Sequence, residues 1–232
     1  MSQLNFTHDP ARRSFVDSAN QPDCDFPIQN LPFGVFSCSG EKPRGGVAIG
    51  DRIVDLRALS DSALLSEGAA VAAKAASSAD LNELMALGNE PASALRADLS
   101  RLLVAESPVQ PIVERLLVPM TEVQMHLPAR IGNFSDFLAS KYHSDRLIAP
   151  GQDRSNFVYI PLGYHSRASS IRLEGPVVRP HGQRRTEDEV IFGPTTQMDF
   201  ELEVGFFVGR GSALGDPILI SDAKQHLLVT AC

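Results

Sequence analysis

A hairpin signal near the N-terminus constrains the fold of this chain more than any other feature. Residues 45–56 read as two short β-type runs on either side of Gly50-Asp51, and glycine supplies the positive φ that a tight hairpin turn needs. Residues 33–36 form a further apolar run, after a stretch that Pro27 and Pro32 confine to a loop or a sheet edge. These short runs predict a small β-barrel.

The composition then changes to Ala, Leu, Ser and Glu. Apolar residues recur at helical spacing, as at Leu95, Leu99 and Leu102, and this pattern predicts helices over residues 61–103. Residues 88–91, Gly-Asn-Glu-Pro, predict a break between two of these helices.

Charge and hydropathy exclude several classes of function. The chain has 232 residues, of which 43% are hydrophobic, and this is enough to bury a substantial core. Its net charge of -7, with no basic run longer than Arg184-Arg185, argues against a nucleic acid partner. No segment reaches the roughly 20 apolar residues of a membrane span, and the first residues lack the pattern of a secretion signal. We therefore expect a cytoplasmic protein with no membrane partner.

Residues 199–209 carry an acidic pattern. Their β-favouring side chains predict a strand, along which residues two apart share a face, so Asp199, Glu201 and Glu203 would form one acidic row. Carboxylates buried without partners would cost several kcal/mol each, and a hard divalent cation such as Mg²⁺ or Ca²⁺ prefers such oxygen ligands. The alternative is the solvated face of an antiparallel sheet, where alternating acids are common.

The sequence after Ser135 predicts a helix that starts at Asp136 and runs through His143, because serine suits the N-cap position. Residues seven apart share a face of a helix and lie about 10 Å apart along its axis. An acid and an imidazole would then stand at the two ends of one site. The alternatives are an aspartate that only favours the helix dipole, and a histidine used for packing or at the surface.

Four segments point together to one family. Residues 25–36 read Asp-Phe-Pro-Ile-Gln-Asn-Leu-Pro-Phe-Gly-Val-Phe, and residues 130–137 read Arg-Ile-Gly-Asn-Phe-Ser-Asp-Phe. Residues 161–170 contain Gly-Tyr-His, and residues 199–203 are the acidic run. This set resembles the fumarylacetoacetase family, in the family's order and at nearly its spacing, over essentially the whole chain.

The resemblance implies a mainly β fold with some α-helix. Residues 1–120 would form an N-terminal SH3-like β-barrel domain with a helical insertion. Residues 121–232 would form the first, incomplete portion of the mixed β-sandwich roll that the family uses for catalysis. The resemblance also implies a homodimer.

The resemblance further implies the roles of five residues. Asp136, Glu201 and Glu203 match the family's metal-binding carboxylates, for Mg²⁺ or Ca²⁺. His143 matches its general base, and Tyr164 matches a tyrosine that contacts substrate. The activity implied is metal-dependent hydrolysis of the carbon–carbon bond of fumarylacetoacetate, a small β-diketo acid, to fumarate and acetoacetate in tyrosine and phenylalanine catabolism.

Some positions depart from the family pattern and leave alternatives open. Leu138 stands where the family has a substrate-contacting tyrosine, and the chain is shorter than the family between His143 and Tyr164, which leaves Arg146 and Arg154 as candidates for a substrate arginine. The sequence ends shortly before the family's Asn-Asp-Trp-Ser-Ala-Arg-Asp segment, so we expect a truncated chain. The alternatives are a hydrolase of another acylpyruvate or diketo acid, and a non-catalytic remnant of the family.

Overall fold

The predicted hairpin is present in the computed structural model, which describes residues 4–147, 151, 159, 162–186 and 189–231. Strands β1 (Phe33–Cys38), β2 (Arg44–Ile49) and β3 (Arg52–Asp55) follow one another as an antiparallel meander. Gly50, in the turn, has a φ of 54°. A Cβ at this position would lie 2.3 Å from the Ser18 hydroxyl oxygen and 2.6 Å from the Ala19 backbone nitrogen. The turn therefore needs glycine for its conformation and for its packing.

Two later strands complete this sheet, one at each edge. Strand β4 (Leu117–Pro119) pairs with β3, and strand β5 (Val123–His126) pairs with β1, which gives the order β4-β3-β2-β1-β5. In a flat sheet five strands wide the two edge strands would lie about 19 Å apart. The 3-10 turn Met120–Glu122 is all that joins them, and such a turn rises only about 2 Å per residue. The sheet must therefore curl into a half-barrel.

Five helices lie between β3 and β4 in the sequence, and buried residues of each helix share one hydrophobic core with buried residues of the sheet. The helices are α1 (Leu56–Ser60), α2 (Glu67–Ala76), α3 (Asn82–Leu87), α4 (Asn89–Leu102) and α5 (Gln110–Val113). Leu95 and Leu99 of α4 are buried in the core with the alanine face of α2. Gly88, with a φ of 85°, separates α3 from α4. The helices predicted over residues 61–103 are confirmed. The break predicted at residues 88–91 is confirmed at Gly88 alone, because residues 89–91 already belong to α4.

Strand β2 and helix α2 approach each other closely at Gly45. A Cβ on Gly45 would lie 2.0 Å from the carbonyl oxygen of Ala76, the last residue of α2, and 3.2 Å from a methyl group of Leu81. Since a carbon and an oxygen that are not bonded cannot approach so closely, only glycine fits at this point of the sheet.

A buried arginine joins the sheet to helix α1. Arg44 donates to Asp55 Oδ2 and to Glu41 Oε2, both at 2.6 Å, and its guanidinium lies 4.6 Å from the ring centre of Phe36. Asp55 also accepts hydrogen bonds from the first backbone N–H groups of α1. Burial alone would lower the pKa of Arg44, but the hydrogen bond and the charge of Asp55 outweigh it, and the pKa is raised.

A second buried carboxylate joins two helices. Asp98 of α4 accepts from the backbone N–H of Ser66 at 2.8 Å and from its hydroxyl at 2.7 Å, and Ser66 is the N-cap of α2. Arg101 donates to the other carboxylate oxygen at 2.8 Å. Burial alone would raise the pKa of Asp98, but these hydrogen bonds outweigh it and the pKa is lowered.

The second half of the chain contains three strand pairs among its described residues. β6 (Ser135–Leu138) pairs with β7 (Leu162–His165), β8 (His181–Arg185) with β9 (Val190–Pro194), and β10 (Gly205–Val208) with β11 (Leu227–Ala231). Two further helices are α6 (Lys141–Leu147) and α7 (Ala223–His226). With the half-barrel, these strands confirm the predicted fold class, mainly β with some α-helix.

Contacts divide the chain into two units. One comprises Met1–Ala129 with Glu174–Cys232, and the other is Arg130–Leu173. The division into domains at residue 120 stays a prediction. Within the described residues, none of the helices combines the length and the apolar character that crossing a membrane would require.

Candidate functional site

The strand pair β6–β7 carries two of the five residues predicted for the site. Ser135 pairs with His165, Asp136 with Tyr164, Phe137 with Gly163 and Leu138 with Leu162. The Phe137 ring lies directly over Gly163, where a Cβ would approach the ring to 2.6 Å. The absence of a side chain at Gly163 thus lets the two strands close, and this closure fixes the register.

Asp136 and Tyr164 are in direct contact because they are register partners. The Tyr164 hydroxyl donates to Asp136 Oδ2 at 2.6 Å, a short distance typical of a hydroxyl that donates to a charged carboxylate. The carboxylate is half-buried and the tyrosine is 58% exposed. One candidate ligand and one candidate substrate contact therefore form a single hydrogen-bonded pair.

The helix predicted from Asp136 to His143 is wrong. Asp136 lies in strand β6, and only His143 lies in a helix, α6, which begins at Lys141. The Ser140 hydroxyl accepts from the backbone N–H of His143 at 3.3 Å, so the serine that caps this helix is Ser140 and not Ser135. His143 is half-buried near the start of α6, and its role as a base stays a prediction.

The strand predicted over residues 199–209 is wrong in its first half. Residues 199–204 have no regular structure, and β10 begins only at Gly205. Glu201 and Glu203 are exposed, and Asp199 accepts a hydrogen bond from the backbone N–H of Phe200 at 2.9 Å. The shared face that would make these three side chains one acidic row is not formed.

The carboxylates suit a metal by their chemistry. Carboxylate oxygens are the ligands that Mg²⁺ and Ca²⁺ prefer. Among the described residues Asp136 accepts one side-chain hydrogen bond, from Tyr164, which leaves lone pairs on both of its oxygens for a cation. Across the residues that the structure describes, no group of three or more His, Cys, Asp or Glu side chains lies close enough to hold a metal ion. The set of Asp136, Glu201 and Glu203 stays a prediction.

The positions that depart from the family pattern lie mainly around the strand pair. Leu138 is half-buried and stands opposite Leu162, so this end of the pair is apolar. Arg146 is exposed in α6, and Arg154 lies outside the described residues. Sequence reasoning missed the Tyr164–Asp136 contact, and the signal that would have found it is Gly163 opposite Phe137, which allows a close strand pair.

A separate apolar groove lies on the half-barrel. It encloses about 410 Å³ and is lined by side chains that include Phe26, Phe33, Phe36, Ile53, Met120 and Met125. Such a lining can bury apolar groups but offers no acid, base or nucleophile for a reaction. The candidate chemistry therefore belongs to the β6–β7 pair and its neighbours.

Comparison with known proteins identifies the module that holds this half-barrel. Residues 29–128, which include β1 to β5 and the five helices between them, match the family model described as Fumarylacetoacetase N-terminal. The first half of the chain is thus an N-terminal domain of the fumarylacetoacetase type.

The similarity continues beyond that domain. The chain is 39% identical to the fumarylacetoacetase of Oryza sativa subsp. japonica over 231 residues, which is 93% of this chain and 53% of the relative. It is 41% identical to that of Bos taurus and 38% to that of Homo sapiens, each over 230 residues, 92% of this chain and 54% of the relative. The chain belongs to the fumarylacetoacetase family, as the four segments predicted. It spans about half the length of the curated relatives that it matches.

Proposed function

We propose that this chain carries part of a hydrolase that cleaves the carbon–carbon bond of fumarylacetoacetate, which gives fumarate and acetoacetate in tyrosine and phenylalanine catabolism. The observation that carries the proposal is an identity of 38% to 41% with proteins named fumarylacetoacetase, over 92% of the chain or more. The strand pair that joins Asp136 to Tyr164 adds support, because it brings two residues of the proposed site into contact.

In this reaction His143 acts as the general base. It takes a proton from water, and the water oxygen forms a bond to one carbonyl carbon of the diketone. The bond from that carbon to its neighbour then breaks, and its electron pair leaves with the departing fragment as an enolate, which takes up a proton. Imidazole suits this role because it is the side chain that exchanges protons most readily near neutral pH.

Asp136, Glu201 and Glu203 hold a divalent cation, Mg²⁺ or Ca²⁺, in this proposal. When bound, the cation supplies stabilisation for the negative charge that develops on the diketone oxygens. A homodimer, which the family resemblance implies, and a cytoplasmic location, expected from the lack of a membrane span or a secretion signal in the sequence, belong to the same proposal. Light scattering on the purified chain tests the dimer.

A second candidate is a hydrolase of another acylpyruvate or diketo acid. It is favoured by Leu138, which faces Leu162 and offers no hydrogen bond to a substrate. An apolar end of the strand pair suits a substrate that carries an apolar group there.

The test is turnover of fumarylacetoacetate and of a short acylpyruvate by the purified chain in Mg²⁺ or Ca²⁺. Turnover that is lost in His143→Ala and kept in His181→Ala supports the proposal; His181→Ala is a matched control because His181 is an exposed histidine in β8. Glu201-dependent cation binding without turnover is the result expected of a chain that carries part of the catalytic site. Preference for the acylpyruvate would select the second candidate. Absence of turnover together with absence of Glu201-dependent cation binding would contradict both and leave a non-catalytic member of the family.

A further inference from the structure

The Tyr164 hydroxyl has one proton, and the structure shows where it goes. The hydroxyl donates to Asp136 Oδ2 at 2.6 Å, and a phenol has only one hydrogen to donate. While this bond is made, Tyr164 can accept a hydrogen bond from a substrate but cannot donate one to a substrate carboxylate or carbonyl oxygen. The Tyr164 hydroxyl could donate to a substrate anion only if its hydrogen bond to Asp136 were broken.

The backbone makes this pairing a property of the strand pair. Asp136 and Tyr164 are direct register partners, so their side chains project from the same face of the pair. The register is fixed on one side by Phe137 packed over Gly163, and on the other by the Ser166 backbone N–H, which donates to the Phe134 carbonyl at 2.8 Å. The contact therefore does not depend on a chance orientation of a surface tyrosine.

A donor that holds one oxygen of a carboxylate limits the orientation of the whole group. Side chains that contact metal-binding residues in this way orient them, and losing such a partner typically costs about 10-fold to 100-fold in metal affinity. We propose that Tyr164 is a positioning residue for Asp136, which holds the carboxylate ready for a cation, and that donation to the substrate is not its role. This inference rests on the proposed function, because it takes Asp136 as a cation ligand.

The hydrogen bond itself is tested without any cation by tyrosine fluorescence. The chain has 3 tyrosines and no tryptophan, so tyrosine emission can be measured directly. A carboxylate that accepts a hydrogen bond from a phenol quenches its emission, because the excited phenol gives up its proton. Asp136→Asn should therefore raise the emission in the parent chain and in Tyr142→Phe, a matched control that removes an 81% exposed tyrosine. The rise should be absent in Tyr164→Phe.

The positioning role is tested by calorimetric titration of the same proteins with Mg²⁺ and with Ca²⁺. We expect the parent chain and Tyr142→Phe to bind alike, Tyr164→Phe to bind at least about 10-fold more weakly, and Asp136→Asn to lose binding. Far-UV circular dichroism confirms that each variant is folded.

The outcomes separate this inference from the proposed function. If Asp136→Asn loses binding while Tyr164→Phe binds like the parent, the cation site stands and the positioning role is overturned. If no protein shows Asp136-dependent binding, the cation assignment fails and the inference fails with it. An emission rise that persists in Tyr164→Phe would show that the pair is not formed in solution, which also overturns it.

Discussion

Gly45 gives the sharpest test of how the half-barrel packs against its helices. In Gly45→Ala the new methyl carbon would start 2.0 Å from the Ala76 carbonyl oxygen. An ordinary contact between these atoms is more than 1 Å longer, and the atom that must move is backbone at the end of α2. Overpacking of this kind costs typically 1–3 kcal/mol, and we expect about 3 kcal/mol because neither partner is a flexible side chain.

A matched control lies in the helix that Gly45 faces. Gly68 is the second residue of α2, and a Cβ there would lie 3.6 Å from the nearest atom, the Ala94 methyl group. Gly68→Ala fits without strain and reduces the freedom of the unfolded chain, so it should stabilise the protein by roughly 0.5–1 kcal/mol.

The assay is urea unfolding followed by far-UV circular dichroism, with the midpoints compared at an unchanged slope. We expect a lower midpoint for Gly45→Ala and an equal or higher midpoint for Gly68→Ala. A Gly45→Ala protein within about 0.5 kcal/mol of the parent would refute the close approach of β2 to α2. Equal losses in both variants would refute the argument as well, since the loss would then not depend on the contact.

Two further predictions concern the buried charges. Arg44→Met removes the partner of the Asp55 carboxylate, which is only 12% exposed, so we expect a loss of about 3 kcal/mol in unfolding free energy. The double variant Arg44→Met, Asp55→Asn should recover part of this loss. A double variant that is no more stable than Arg44→Met would contradict the pairing. Asp98 has a lowered pKa in the folded state, so its contribution to stability is present above its unfolded pKa, about 3.9, and is lost as the pH falls through the lower folded value. Asp98→Asn should therefore show a shallower loss of stability below about pH 4 than the parent in urea unfolding at several pH values, and identical profiles would contradict this.

The parts of the fold that the sequence predicted correctly depend on local chemistry. Gly50 predicts its turn because the required positive φ favours glycine at that position. The leucine spacing of α4 predicts which face of the helix is buried. Neither signal needs information about residues far along the chain.

The errors arise where a distant partner decides the structure. Ser135 and Asp136 read as the start of a helix, but their strand conformation comes from pairing with a segment 28 residues later. The capping signal at Ser135 was therefore overridden by strand pairing. Ser140 caps the helix instead, since its hydroxyl accepts from the backbone N–H of His143.

The acidic run failed for a related reason. Strand β10 begins at Gly205, which pairs with Ala231, and residues 199–203 pair with no strand among the described residues. A strand needs a neighbour for its backbone groups, so the alternation of side chains over residues 199–203 does not by itself form one. The side-chain pattern alone could not reveal this.

The segment from β4 to β5 has a consequence for how the strand edges of the half-barrel are covered. It covers the free side of β3 and the free side of β1, and it is tied to β1 by the contact of Ser37 Oγ with His126 Nε2 at 2.8 Å, across 89 residues of sequence. A single local opening of this segment would uncover two strand edges at once, and each of them could pair with another chain. The edges of β3 and β1 are therefore exposed together or covered together, because one segment covers both of them.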